Sequence, residues 1–176
     1  MKTSAELEQQ AALQIAALAA AAARTAPKTR GIDNIKTAVI DDEPTKRKLI
    51  AKMREIATKE DRPSFARDAG NIEHVPAIIL IAVESNTAGL NCAFCGKPSC
   101  EALEESGGTC TFNSIDLGIA TTSAAEVSGR FHVDNRVMFS IGRAALDLNL
   151  FGAKVKQALG IPLSVTGKNP FFDRKP

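Results

Sequence analysis

Residues 6–24 repeat apolar positions at helical spacing: Leu7, Ala11, Ile15, Leu18 and Ala22, with Glu6, Gln10 and Gln14 on another face. The alanine-rich second half is apolar almost all round, which predicts a buried helix in close contact with its neighbours. Pro27 ends it, and "KTRGIDN" reads as a loop. Residues 36–41 then alternate as a short strand. Pro44 sits where a first helical turn tolerates it. Leu49, Ile50, Met53 and Ala57 make the inward stripe of the next helix, and Lys46, Lys48, Lys52 and Lys59 its solvated face. Residues 61–73 are polar, a short helix or a loop. "AIILIAV", 77–83, is the strongest strand signal, a continuous apolar run of the kind found in a sheet covered on both faces. After a cysteine-rich stretch, Asn113 and Asp116 read as a capping pair for a helix running to about Gly129. "RFHVDN" reads as a turn. Residues 136–150 predict a further helix, with Val137, Ile141, Ala144, Ala145 and Leu148 inward, and 162–166 a last strand.

The order helix, strand, helix, strand, helix, helix, strand predicts a three-layer α/β or α+β domain. At 176 residues the chain suits one domain, 1–176, with residues 90–112 as an insertion after the second strand. With 44% apolar and 24% charged residues it reads as soluble and globular. The only aromatic residues are phenylalanines, so Ala, Leu, Ile and Val must build the core. A net charge of +2 and no basic stripe interleaved with aromatics argue against nucleic acid. "AALQIAALAAAAA" follows Glu6 and Glu8 rather than a positive start, so it does not read as an export signal, and thirteen residues are too few to span a bilayer. No membrane association and a cytoplasmic setting are expected. There thiols stay reduced and clustered cysteines usually mean metal or redox chemistry.

The densest chemistry is Cys92-x2-Cys95-x4-Cys100-x9-Cys110. A C-x-x-C pair can place two thiolates at neighbouring corners of an inorganic centre. Gly96 lets the backbone approach closely, "CEALEE" would hold Cys100 on a first helical turn, and Gly107 and Gly108 allow Cys110 to swing back. Three readings stand side by side. Four cysteines without a fifth or a nearby histidine suit a [4Fe–4S] cluster that transfers single electrons. They also suit an all-cysteine zinc site in a structural or interaction protein. Such zinc sites usually use two closely spaced pairs, and Cys100 and Cys110 are far apart for the second. The third reading is a set of buried or free thiols.

"GLNCAFCGKPSCEAL" resembles the small four-cysteine iron–sulfur domain of electron-transfer complexes and corrinoid proteins. Ala93 stands where that domain carries glycine. More widely, "ARTAPKTRGIDN", "GLNCAFCG", "DLGIA", "VDNRVMFSIGRAA" and "GIPLSVTGKNPFFDR" together resemble the prokaryotic proteins described as ferredoxin-domain-containing. That resemblance implies a cluster at Cys92, Cys95, Cys100 and Cys110, with a redox role. The order of "AARTAP", a strand, an acidic turn, "EPTKRKLIAKM", "DLGIA" and "ALGIPL" is also similar to FMN-dependent nitroreductases. This implies a nitroreductase-like α+β sandwich, a homodimer and FMN at the subunit interface, which would make the protein an oxidoreductase. Its partner would then be flavin or a redox protein.

Basic residues offer a phosphate grip for such a flavin: Arg24, Lys28 and Arg30 after the first helix, and Lys168 and Arg174 in the tail. An ordinary solvated connection is the competing reading for the first three. His74 and His132 read as polar turn residues, and "VDNR" as a capping and ion-pair unit. Phe171 and Phe172 predict that the tail docks on a surface, of this chain or of a partner. Lys97 lies beside the cysteines and would steer an acidic redox partner. No nucleotide-binding loop, nucleophile elbow or H-E-x-x-H helix occurs.

Overall fold

Strand β2, Ala77–Glu84, is the centre from which the other elements follow. The computed structural model describes residues 1–172. Ala77 to Val83 are all buried. Alternate side chains leave a strand on opposite faces, so an uninterrupted apolar run needs cover on both. Ala77, Ile79, Ile81 and Val83 pack on one side with α1, Ser4–Thr25, and α5, Thr111–Arg130. Ile78 and Leu80 pack on the other with α2, Glu43–Lys59, α3, Pro63–Asn71, and α6, Phe139–Asp147. The result is a three-layer α+β sandwich.

The four-stranded sheet has the order β1-β2-β4-β3, with β1 at Ile35–Ile40, β4 at Val155–Ser164 and β3 at Asp134–Asn135. All its pairings are antiparallel. Ile35 lies opposite Val83, Ala77 opposite Leu163 and Asp134 opposite Ser164. Pro162 is tolerated inside β4 for a geometric reason. Gly160 exchanges both backbone hydrogen bonds with Met138, at 2.8 and 3.1 Å, on the side away from β2. Two residues on, Pro162 turns its ring nitrogen to the same side, so the β2 ladder loses no donor. α6 lies unusually close to β4. A Cβ on Gly142 would meet the Ala158 carbonyl oxygen at 1.8 Å, and one on Gly160 would meet Ile141 Cγ2 at 2.1 Å.

Several elements depart from what the pattern predicts. α1 buries Ala12, Ile15, Ala16, Ala19 and Ala23, while Leu7 and Leu18 face outward. The alanine stripe wins because small side chains let α1 and α5 approach. β4 begins at Val155 rather than 162, through "VKQALG", whose half-exposed alternation hides a strand. α6 starts at Phe139 rather than 136, because Met138 is extended and committed to its bridge with Gly160. Val137 is consequently exposed. Lys46 is buried rather than solvated. Its stem runs along the core edge, and its Nζ donates to the Val75 carbonyl at 3.0 Å and pairs with Glu43.

"VDNR" is not a helix cap. Asp134 and Asn135 form β3, and Asp134 accepts from Asn169 Nδ2 at 2.9 Å. Arg136 donates to the Phe171 carbonyl at 3.3 Å and lies over the Phe172 ring, 5.6 Å from its centroid. The tail therefore docks on its own chain: Phe171 is 3% exposed in the α2/α3/α6 core, while Phe172 stays on the surface. Among the described residues no helix is long and apolar enough to cross a membrane.

Candidate metal centre in the β2–α5 connection

Between Glu84 and Thr111 the chain leaves the sheet, turns tightly, forms the short helix α4, Cys100–Glu105, and returns to open α5. Four left-handed residues shape the first part: Gly89 (φ 66°), Asn91 (φ 47°), Ala93 (φ 58°) and Gly96 (φ 76°). L-residues pay for that conformation, so Asn91 and Ala93 are held there by their surroundings. Gly96 N–H donates to the Ala93 carbonyl at 2.9 Å, closing the turn that contains Cys95. Ser99 caps α4 by accepting from Ala102 N–H at 3.1 Å. Gly107 (φ 65°) and Gly108 then bring the chain back to Cys110, the residue that precedes α5.

These turns bring all four cysteines to one cavity. Cys92, Cys95, Cys100 and Cys110 share its lining with Leu90, Phe94, Lys97 and Phe112. All four are free thiols, graded from exposed Cys92, through half-buried Cys95 and Cys100, to buried Cys110. Ala88, Leu103 and Cys110 form a small apolar floor with Cys95 and Phe112 against it. Phe94 stacks on Phe112 with centroids 5.6 Å apart at the mouth. Asn91 and Cys100 hold each other: Asn91 N–H donates to Cys100 Sγ at 3.4 Å, and Cys100 N–H donates to Asn91 Oδ1 at 2.8 Å.

These four cysteines are the candidate ligands the cavity offers. The donor set is entirely sulfur, which suits iron–sulfur clusters and zinc. A single zinc ion needs its sulfurs about 2.3 Å from one point. Among the described residues no three ligand side chains converge on such a point; the thiols line a cavity instead.

The loop is anchored from outside. Arg30 donates to the Ala88 carbonyl at 2.8 Å. The neighbouring Thr29 donates its backbone N–H to Asp116 Oδ1 and Oδ2, at 3.0 and 3.2 Å, and its hydroxyl to Oδ1 at 2.8 Å. Asn113 Nδ2 donates to the Glu84 carbonyl at 3.2 Å, and Lys156 Nζ to the Gly107 carbonyl at 3.0 Å. Asn113 and Asp116 are thus buried clamps rather than the predicted caps, and α5 begins without a side-chain cap. Their signal was present as polar residues on the inward face of an otherwise apolar helix. The importance of Thr29 shows only when α5 is folded against it.

Arg24, Lys28 and Arg30, proposed for a phosphate, have other partners. Arg24 pairs with Asp33 and donates to the Ile35 carbonyl. Burial pushes the Asp33 carboxyl up, but the Arg24 guanidinium outweighs it and holds the group below the usual aspartate value. Lys28 donates to the carbonyls of Arg24 and Ala26 at the end of α1. Lys168 follows Thr166, which shares a cleft with Ala5 and Glu8 at the opposite end of α1. A helix of 22 residues is about 33 Å long, so one chain does not bring Lys168 and the Arg24–Arg30 loop to one phosphate. Arg174 lies outside the described residues. His74 and His132 are exposed, the latter in a left-handed turn (φ 56°).

Comparison with known proteins gives the chain a family. The family model described as "Uncharacterized protein containing a ferredoxin domain" (DUF2148) matches residues 106–174, which include Cys110. An uncharacterised protein of Archaeoglobus fulgidus is 42% identical over 174 residues, covering 93% of this chain and 92% of the relative. A nitroreductase with bound FMN from Desulfitobacterium hafniense DCB-2 has a TM-score of 0.63 at 14% identity, over 96% of this chain and 80% of its own. A BluB-like flavoprotein from Clostridium difficile 630 gives 0.59 at 16%, over 93% and 83%. At those identities the likeness is one of fold. The chain belongs to the family of ferredoxin-domain-containing proteins, and its fold is that of the nitroreductases.

Proposed function

We propose that the protein is a one-electron carrier whose β2–α5 connection holds a [4Fe–4S] cluster through Cys92, Cys95, Cys100 and Cys110. The observation that carries this reading is that all four thiols of one short stretch of chain line the same cavity. The membership of a ferredoxin-domain family points the same way. Such a cluster, when bound, supplies reversible storage of a single electron. The protein's own part is binding and tuning. Cys110 and the Ala88–Leu103 floor give the inner side an apolar surface. The Asn91 N–H, donated to Cys100 Sγ, stabilises charge on that sulfur. Thr29, Arg30 and Asp116 hold the loop in place.

Anaerobic purification tests the assignment. The expected result is brown protein with about four iron and four sulfide per chain, bleached by Cys95→Ser. Colourless protein with one zinc, or iron content unchanged in that variant, overturns it. FMN is a second reading, favoured by the fold shared with FMN-bound nitroreductases. Since Lys168 and the Arg24–Arg30 loop lie at opposite ends of α1, a joint grip on its phosphate would need a partner subunit. Exposed Leu7 and Leu18 on α1 and Ile115 and Ile119 on α5 support a homodimer through that layer. A flavin spectrum and light scattering check both points. A cytoplasmic setting belongs to the same reading, because it keeps the four thiols reduced.

A further inference from the structure

The mouth of the cysteine cavity has two surface properties that its metal chemistry does not need. First, it is apolar. Phe94 is 67% and Leu90 44% exposed, and Phe94 is already fixed against Phe112 by stacking. An aromatic ring held rigid in water loses little entropy when a partner covers it. Second, its flank is acidic. α4 exposes Glu101, Glu104 and Glu105. Within residues 85–111 they outnumber the one lysine, Lys97, and although Arg30 and Lys156 reach the loop at the Ala88 and Gly107 carbonyls, Glu101 and Glu105 remain exposed on the rim. Lys97 alone predicts an acidic partner, and α4 reverses that expectation. Four cysteine thiolates on an iron–sulfur centre add further negative charge to the same end.

We infer that this face, with Phe94 at its centre and α4 at its rim, docks a redox protein bearing a basic surface around its own electron-accepting group. The inference rests on the electron-carrier reading above and names the partner class for that same site. Cys92, the exposed thiol, and Phe94 beside it lie on the outer side of the cavity, so a protein seated there meets the centre at its closest approach to solvent. The step is a bare electron transfer. The reduced carrier loses one electron and the partner's oxidised group gains it, for instance ferric haem becoming ferrous. No bond forms or breaks and no proton moves. Encounters of this kind are small and short-lived, and their rates depend on charge.

Cytochrome c, a basic haem protein, serves as the probe, and flavodoxin, an acidic flavoprotein, as its opposite. Binding to each is measured with the anaerobically purified holoprotein at about 20 and about 300 mM salt, where screening is weak and strong. Cytochrome c should bind at low salt and weaken by about tenfold or more at high salt. The double variant E101K/E105K should lose cytochrome c by a similar factor and gain flavodoxin. Phe94→Ala should weaken cytochrome c about three- to tenfold at both salts, because its contribution is contact rather than charge. Iron content and the rate of reduction of benzoquinone, a small neutral acceptor, should be unchanged in E101K/E105K, and binding by Phe94→Ala is compared with the parent at equal iron content. Salt-independent binding, unaltered preference in E101K/E105K, or self-association through Phe94 in the absence of any probe overturns the docking inference. In those cases electron delivery to benzoquinone still upholds the carrier reading. Holoprotein that reduces no benzoquinone overturns the carrier reading, and the docking inference with it.

Discussion

Asp116 is the clamp between α5 and the loop that supports the cysteines, and replacing it tests whether that clamp matters. Its carboxylate is 5% exposed and accepts from two donors of Thr29, the backbone N–H and the hydroxyl. Hydrogen bonds to a charged group contribute about 1.5–3 kcal/mol each. Thr29 is half-buried, so water can partly replace the lost acceptor. Asp116→Ala should therefore cost about 2–4 kcal/mol of stability. Asp116→Asn keeps Oδ1 as acceptor for both Thr29 donors and loses the charge and the longer Oδ2 contact, so it should cost about 1–2 kcal/mol. In urea unfolding the alanine variant should move the midpoint down by roughly 1–2 M. Arg30 follows Thr29 and donates to the Ala88 carbonyl, so the loosened segment also frees the base of the cysteine loop. Iron loss to a chelator should accelerate in Asp116→Ala more than in Asp116→Asn. A cost below about 1 kcal/mol for alanine, or equal costs for the two variants, would refute the clamp.

Gly142→Ala should destabilise by about 2 kcal/mol or more, since its Cβ would meet β4 backbone that cannot yield; unfolding within about 0.5 kcal/mol of the parent would contradict the close helix–strand contact. Ala93→Gly should stabilise the protein by about 0.5–1 kcal/mol, because relief at φ 58° exceeds glycine's added freedom in the unfolded chain; calorimetry decides, and a loss of stability counts against the turn. Glu55 hydrogen-bonds Lys52 and Lys59, which hold its carboxyl down at about 2 against an ordinary 4.5. Its stabilising contribution is present above pH 4.5 and is lost as pH falls toward 2; a carboxyl titration by NMR should show the depressed value, largely restored in about 1 M salt because the group lies in solvent.

Much of this protein could be read one element at a time. The β2 run of seven apolar residues required cover on both faces, and the structure supplies it with α1 and α5 on one side and α2, α3 and α6 on the other. Helix α2 and the tail's docking by Phe171 were legible for the same local reason: apolar spacing, or an apolar pair that water would disfavour. The cysteine spacing marked the candidate site, because four thiols in nineteen residues need no tertiary information to stand out.

Other features depended on what lies across the fold. Leu7 and Leu18 looked inward by hydrophobicity, yet alanine faces inward because close packing of α1 on α5 rewards small size over apolar area. The strand 155–160 was hidden, since its partners, β2 and Met138, are distant in sequence. Lys46 was a surface lysine by type and a buried one by its reach to the Val75 carbonyl. Thr29 and Asp116 lie 87 residues apart, so neither predicts the other until α5 and the α1–β1 connection meet. Local pattern therefore determined which residues could carry the chemistry and which segments could be helix or strand. Tertiary packing alone decided which faces were buried, where the clamps fell, and that Cys110 returned to share a cavity with the three cysteines before it.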